Sequence, residues 1–184
     1  MEALVPLNKS IEIRPNLEAL NNLGNAYFEL HRFPEAAGAF QRGLNLDDSD
    51  WLLWGNLGDS LFWGNHRSKA MTAYENAIAR AEKKLEVNSR DPTILAFSAD
   101  YNAMGGHRKK ALKEIDQAMA LAPADGEIRL RAAIVYNQLK DTDRCLASLE
   151  KAIATGYSAQ VIRDTPDFDH LHNNPRFRAL AQVN

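Results

Sequence analysis

A spacing of 34 residues runs through this chain and restricts its fold more than any other feature. Leu23-Gly24-Asn25 returns as Leu57-Gly58-Asp59, and Ala36, Phe40 and Leu44 return as Ala70, Tyr74 and Ile78, each 34 positions later. Ala111, Ile115 and Ala118 return as Cys145, Leu149 and Ala152 at the same spacing of 34. A fixed period of roughly 20–50 residues marks a repeat architecture, in which each copy is one supersecondary unit stacked on the next. Tyr101 and Tyr136 are 35 apart, which places one additional residue in the third unit near Gly105-Gly106. Ala70 and Ala111 are 41 apart, seven more than the period.

Each unit reads as two helices joined by a short polar turn. Leu20, Leu23, Gly24 and Tyr27 follow the i, i+3, i+4, i+7 spacing of one helical face. His31-Arg32-Phe33-Pro34 then interrupts the pattern, with Pro34 suited to a helix start. Ala36, Phe40, Gly43 and Leu44 form the apolar stripe of the second helix. Small residues stand opposite large ones for a reason. Gly24 and Gly58 let a partner helix approach closely, while Tyr27, Phe40 and Tyr74 fill the space between turns. One hairpin cannot bury such a face alone, so neighbours must stack, and the expected class is all-α. The seven extra residues before Asp91-Pro92 fall within 77–88, a run rich in Ala, Glu, Lys and Leu. Seven residues are about two turns or ~10 Å of helix, so a lengthened helix is expected rather than a loop.

These residues resemble the tetratricopeptide repeat: Leu23-Gly24, Tyr27, Ala36, Phe40 and Leu44 in one unit, then Trp54, Leu57-Gly58, Ala70, Tyr74 and Ala77 in the next. Looser matches follow at Tyr101, Gly105, Ala111, Ala118 and Pro123, and at Tyr136, Cys145 and Ala152. The resemblance implies a right-handed α-solenoid of helix-turn-helix hairpins as a single array over 1–184. It divides into a half repeat at 1–16, repeats at 17–50, 51–90 (with the lengthened second helix), 91–125 and 126–157, and a short helical cap at 158–184. Ala3, Leu7, Ser10 and Pro15 match only the second helix of a repeat, so the chain is expected to open mid-unit, as a fragment of a longer protein or with a shortened N-terminal cap. The tail, with Pro166 and Pro175 breaking short helices around Phe168, Leu171 and Phe177, is similar to one that closes repeat arrays in bacterial multidomain signalling proteins, including Ser/Thr kinases and nucleotide cyclases.

Composition narrows the functional classes. A net charge of −2 offers no basic face for nucleic acid. No polybasic run suits an anionic membrane surface, and no apolar stretch approaches the ~20 residues that span a bilayer. The start, Met1 to Pro6, lacks the basic and apolar regions of a signal peptide. Cys145 stands alone, which fits a reducing compartment and a cytoplasmic location. There is no GxGxxG, no Walker lysine loop and no GxSxG, so neither an enzyme nor a cofactor is expected. His31, His66 and His107 recur in the turns because the repeat recurs. Asp167, Asp169, His170 and His172 alternate two apart, which on a short helix sends side chains in divergent directions, so a structural cap is expected there and no metal site. Cys145 takes the small-residue position of a helix face, where burial keeps a thiol inert.

In tetratricopeptide proteins the first helix of each hairpin lines the concave face, and the resemblance places a peptide-binding groove on Asn21, Asn25, Phe28, Asn56, Asp59, Phe62 and Trp63. Asn102, Asn137 and Gln138 would extend it in later units. Aromatics with amides suit peptide recognition, although Phe28, Phe62 and Trp63 equally suit packing between hairpins. Chaperone-binding members grip a terminal carboxylate with Lys and Arg on these helices. Here Leu17–Leu30, Asp50–Trp63 and Asp91–Met104 carry neither, while Glu18, Glu29 and Asp59 are acidic. The expected partner is therefore a protein or peptide bearing Lys or Arg, bound by a monomer or weak homodimer acting as a scaffold or adaptor. Two other readings stand beside it: a regulatory region of a larger signalling enzyme such as a Ser/Thr kinase, and a self-associating structural module.

Overall fold

The computed structural model describes residues 16–181, and every regular element among them is helical. The half repeat expected at 1–16 falls, apart from Asn16, outside the described residues. The chain divides into two compact units between Lys83 and Lys84, each holding two helical hairpins. The first contains α1 (Leu17–Glu29), α2 (Phe33–Leu44), α3 (Trp51–Trp63) and most of α4 (Arg67–Val87). The second contains α5 (Pro92–Met104), α6 (Arg108–Leu121), α7 (Gly126–Gln138) and α8 (Thr142–Ala154). It closes with α9 (Ala159–Asp164), a 3-10 turn over Pro166–Leu171, and α10 (Pro175–Ala181).

Local chemistry repeats with the period. Asn16, Asp50, Asp91 and Asp125 each stand immediately before a first helix, and their side-chain oxygens accept from Ala19, Leu52 and Leu53, Ile94, and Glu127 and Ile128 respectively. These bonds satisfy backbone N–H groups that a helix start leaves unpaired. Each hairpin turn places one residue in the left-handed region: His31, Asn65, Gly106 and Lys140, with φ of 57°, 63°, 81° and 62°. The two N–H groups at each turn bond back into the first helix, His31 to Phe28 and Arg32 to Tyr27 in the first hairpin. The same pair recurs at Asn65/His66, Gly106/His107 and Lys140/Asp141. This is the Schellman closure, which satisfies the last carbonyls while reversing the chain.

In all four hairpins the second helix starts 16 residues after the first, so the third unit contains no additional residue. The expectation came from pairing Tyr101 with Tyr136. The residue equivalent to Tyr136 is Asn102, 34 positions earlier, and the buried Tyr101 packs one step aside, against Phe97 at 6.3 Å. The seven surplus residues lie in α4, which has 21 residues where α2, α6 and α8 have 12, 14 and 13.

Packing explains the glycines. A Cβ at Gly24 would stand 2.6–2.7 Å from Cζ and Cδ1 of Phe40, and one at Gly58 would stand 2.5–2.6 Å from Cε1 and Cδ1 of Tyr74. The second unit makes the same crossing with different volumes: Ala99 and Ala133 occupy the glycine positions, and Ile115 and Leu149 the aromatic ones, all four fully buried. A larger small residue is matched by a smaller large one, which keeps the core filled without overpacking. Phe168, Leu171 and Phe177 of the tail are buried in the core of the second unit. The tail is also hooked by amides, since Asn137 Nδ2 donates to the Asp167 carbonyl and Gln138 Nε2 to Asp167 Oδ1, both at 2.8 Å.

Candidate functional site

The seven residues read as a groove all lie in the first unit, on α1 and α3. Successive residues turn about 100° around a helix, so Asn56, Asp59 and Trp63 share one side of α3. Asn56 Nδ2 donates to Asn21 Oδ1 at 3.2 Å, which ties the two first helices together. That bond leaves the Asn56 oxygen and the Asn21 nitrogen for other partners. Asn25 lies one turn beyond Asn21 and is half-buried. Asp59 accepts the Tyr74 hydroxyl at 2.8 Å, so its carboxylate also holds the ring that fits against Gly58.

The aromatics form a chain. Phe28 meets Phe33 edge-on at 5.3 Å, Phe33 stacks on Trp63 at 6.4 Å, and Trp63 meets Phe62 edge-on at 5.5 Å. Phe33, at the start of α2, links the first-helix aromatics of neighbouring hairpins. Sequence reasoning passed over it as part of a turn, and its position just before Pro34 was the available signal. Phe28, Phe33, Phe62 and Trp63 are each half-buried, so each ring packs on its neighbour and keeps an outer edge in solvent. The Arg67 guanidinium lies over Phe62 at 5.0 Å, and Arg32 over Tyr27 at 4.7 Å. Arg32 also bonds Glu35 at 2.7 Å, and this hydrogen bond holds the Glu35 carboxyl below the usual range. Neither α1 nor α3 carries a cation, whereas Glu18 and Glu29 are exposed on α1.

The amides expected to extend the groove in the second unit are engaged internally. Asn102 is fully buried; its Nδ2 donates to the Ser98 carbonyl at 2.9 Å and to Glu114 Oε2 at 3.0 Å, and its Oδ1 meets His107 Nδ1 at 3.1 Å. At the position where the first and fourth hairpins hold Tyr27 and Tyr136 and the second holds Leu61, an amide faces the hairpin's second helix rather than solvent. Asn137 and Gln138 are occupied by the tail. Arg129, on α7, donates to the Pro123 carbonyl at 2.9 Å. Arg131 pairs with Asp100 and Glu127, both at 3.1 Å, and lies 3.9 Å over the Phe97 ring. Glu127 also accepts the Tyr157 hydroxyl at 2.8 Å, and burial together with this carboxylate raises the Tyr157 pKa.

His31, His66 and His107 are exposed at the turns. Burial, then the Asp167 and Asp141 charges, push the Cys145 thiol up to about 12. Burial likewise raises the Asp167 carboxyl, against the Gln138 hydrogen bond and the Arg131 charge, which lower it. His172 Nε2 lies 3.2 Å from the Arg163 carbonyl, and its ring packs 5.5 Å from Phe177. Among the described residues no three His, Cys, Asp or Glu side chains are grouped to hold a metal ion, and no helix is long and apolar enough to cross a membrane.

The profile of the tetratricopeptide repeat matches residues 17–50, which span the first hairpin. A thermophilic tetratricopeptide protein of Thermus thermophilus has a similar structure, with 21% identity over 90% of this chain and 89% of that one and a TM-score of 0.62. MamA (residue 41 to the end) from Desulfovibrio magneticus aligns over 84% of each chain at 15% identity, with a TM-score of 0.52. The Cut9–Hcn1 hetero-tetramer of the APC/C aligns over 96% of this chain and 34% of that one, at 15% identity and a TM-score of 0.58. At these identities the likeness is one of fold. No curated protein sequence matches the chain.

Proposed function

Because this chain carries tetratricopeptide repeats, we propose that it is a protein-interaction module in which α1 and α3 hold a peptide or helix of a partner protein. The reading rests on one observation: Asn21 and Asn56 bond to each other across two adjacent first helices that carry no cation, and each keeps an unused polar atom on its amide. Paired amides of this kind can bond the backbone of an extended ligand, since each offers both a donor and an acceptor. The half-buried edges of Phe28, Phe62 and Trp63 supply apolar contact beside them, and Asn25 adds a further amide. Glu18, Glu29 and Asp59 outnumber the Arg67 cation that lies over Phe62 and leave this side net anionic, which favours a partner bearing Lys or Arg and an association that weakens as salt rises.

The test is a titration of Lys/Arg-bearing peptides against the wild type, Trp63→Ala and Asp59→Lys, with circular dichroism verifying that each variant keeps its helical content. Loss in both variants supports the reading; truncating a buried aromatic anchor costs about 2 kcal/mol or more of binding energy. Unchanged affinity in both would remove α1 and α3 as the binding surface. Loss in Asp59→Lys alone would keep the surface and assign the aromatics to packing.

A further inference from the structure

A second surface lies on the opposite side of α3. At about 100° per residue, Trp54, Leu57 and Leu61 fall roughly half a turn away from Asn56, Asp59 and Trp63. These three residues floor an open groove of about 440 Å³ between α2 and α4, walled by Ala37 and Gly38 on one side and Ala73 on the other.

Two observations say what fits it. The first is charge. Lys69 and Thr72 of α4 line the groove, and Lys69 is exposed. Arg80 and Lys83 follow on the same side of α4, all three cations within about 60° of one another, whereas Glu75 and Glu82 project from the other side. Arg80 is held at the floor, over the Trp54 ring at 5.0 Å and paired with Asp48 at 3.3 Å. Lys69 therefore borders the apolar floor with positive charge that this pair does not use, and Lys83, exposed about one turn beyond Arg80, continues that charge along the same side of α4. The second observation is Gly38. Gly24, Gly43 and Gly58 each face a side chain that leaves no room for a Cβ, but a Cβ at Gly38 would meet nothing within 4 Å. A glycine inside a helix is less stable than alanine there, and no contact in the hairpin requires this one. Its absent side chain keeps the wall low where another backbone would approach.

We propose that this groove docks a helical segment of a second partner protein, one that lays aliphatic side chains over Trp54, Leu57 and Leu61 and turns Asp or Glu toward Lys69 and Lys83. A helix in a groove is read by apolar anchors at i, i+3/i+4 and i+7, with charges at the rim setting its direction. The site is independent of the one proposed on α1 and α3, and its charge preference is the reverse. The two sides of α3 together would let one hairpin pair join a basic segment to an acidic one.

Three 16-residue amidated peptides test the proposal with the whole chain: one of Leu and Glu at helical spacing, a twin with Lys for Glu, and a twin with Ser for Leu. Binding is followed by amide shifts of Gly38 and Thr72 and by the Trp54 indole N–H. The Leu/Glu peptide is expected to move these signals and both twins to leave them in place. Gly38→Leu fills the groove and meets no neighbour in the fold, so affinity should fall at least tenfold while the melting temperature holds or rises. Lys69→Glu should lose the Leu/Glu peptide and gain the Leu/Lys twin, which keeps the proposal testable even if Gly38→Leu folds poorly. It is overturned if the Leu/Glu peptide moves none of these signals, if it moves only Asn21 and Asn56, if the Leu/Lys twin binds the wild-type groove equally well, or if both variants bind as the wild type does.

Discussion

Alanine placed at two glycines of the same unit should change stability in opposite directions. At Gly58 the new methyl would stand 2.5–2.6 Å from Tyr74 ring carbons. The ring cannot retreat, because Tyr74 is fully buried and its hydroxyl is tied to Asp59 at 2.8 Å. Overpacking a filled core costs about 1–3 kcal/mol, and the better helix propensity of alanine returns at most about 1 kcal/mol. Gly58→Ala should therefore destabilise by roughly 1–2 kcal/mol, and Gly58→Leu by more. At Gly38 the same methyl meets nothing within 4 Å, so only propensity acts and Gly38→Ala should stabilise by up to about 1 kcal/mol. Urea unfolding followed by helical circular dichroism measures both, and in a thermal scan about 1 kcal/mol corresponds to ~2–4 °C for a chain of this size. A Gly58→Ala protein as stable as the wild type would mean that the α3–α4 crossing is looser than described. A destabilised Gly38→Ala would mean that the glycine serves the fold, and it would remove one support of the second docking surface.

Lys140 sits at φ 62°, a region that costs an L-residue about 1–2 kcal/mol, so Lys140→Gly should raise the unfolding free energy by a net ~0.5–1 kcal/mol after the entropy of glycine in the unfolded chain is counted, read as a higher urea midpoint. Burial raises the Asp167 carboxyl, so the native state holds its proton more tightly than the unfolded chain does. The stability this contributes is full below the unfolded pKa and is lost as pH rises through the folded one. Asp167→Asn, which keeps an oxygen for Gln138, should raise the melting temperature at pH 7 and leave it unchanged near pH 3. Removing residues 168–184 deletes Phe168 and Phe177, which are 0% and 1% exposed, and should cost more than about 3 kcal/mol and promote self-association in sedimentation velocity. A truncated chain that stays monomeric and equally stable would make the tail an appendage rather than a cap.

What the residues determined alone is local or periodic. The spacing of 34, the glycine-against-aromatic register of the first two hairpins and the helix-starting prolines are written in composition at fixed offsets, and they suffice for an all-α array of hairpins. The Asn or Asp that caps each first helix was recognised only once the helix starts were fixed by the structure. The tertiary structure decided what depends on which distant side chain lies across a helix crossing. Tyr101 resembled Tyr136 by type, but helix starts 34 residues apart show Asn102 in that place, with an amide that pairs to Glu114 12 positions on. Asn137 and Gln138 read as groove amides until Asp167, 30 and 29 residues later, is seen to occupy them. Asp59 is both an acidic surface group and the anchor of a core tyrosine 15 residues away. A helical period tells which side of α3 a residue takes, but only the neighbours packed there make one side a row of amides and rings and the other an apolar trough rimmed with lysine.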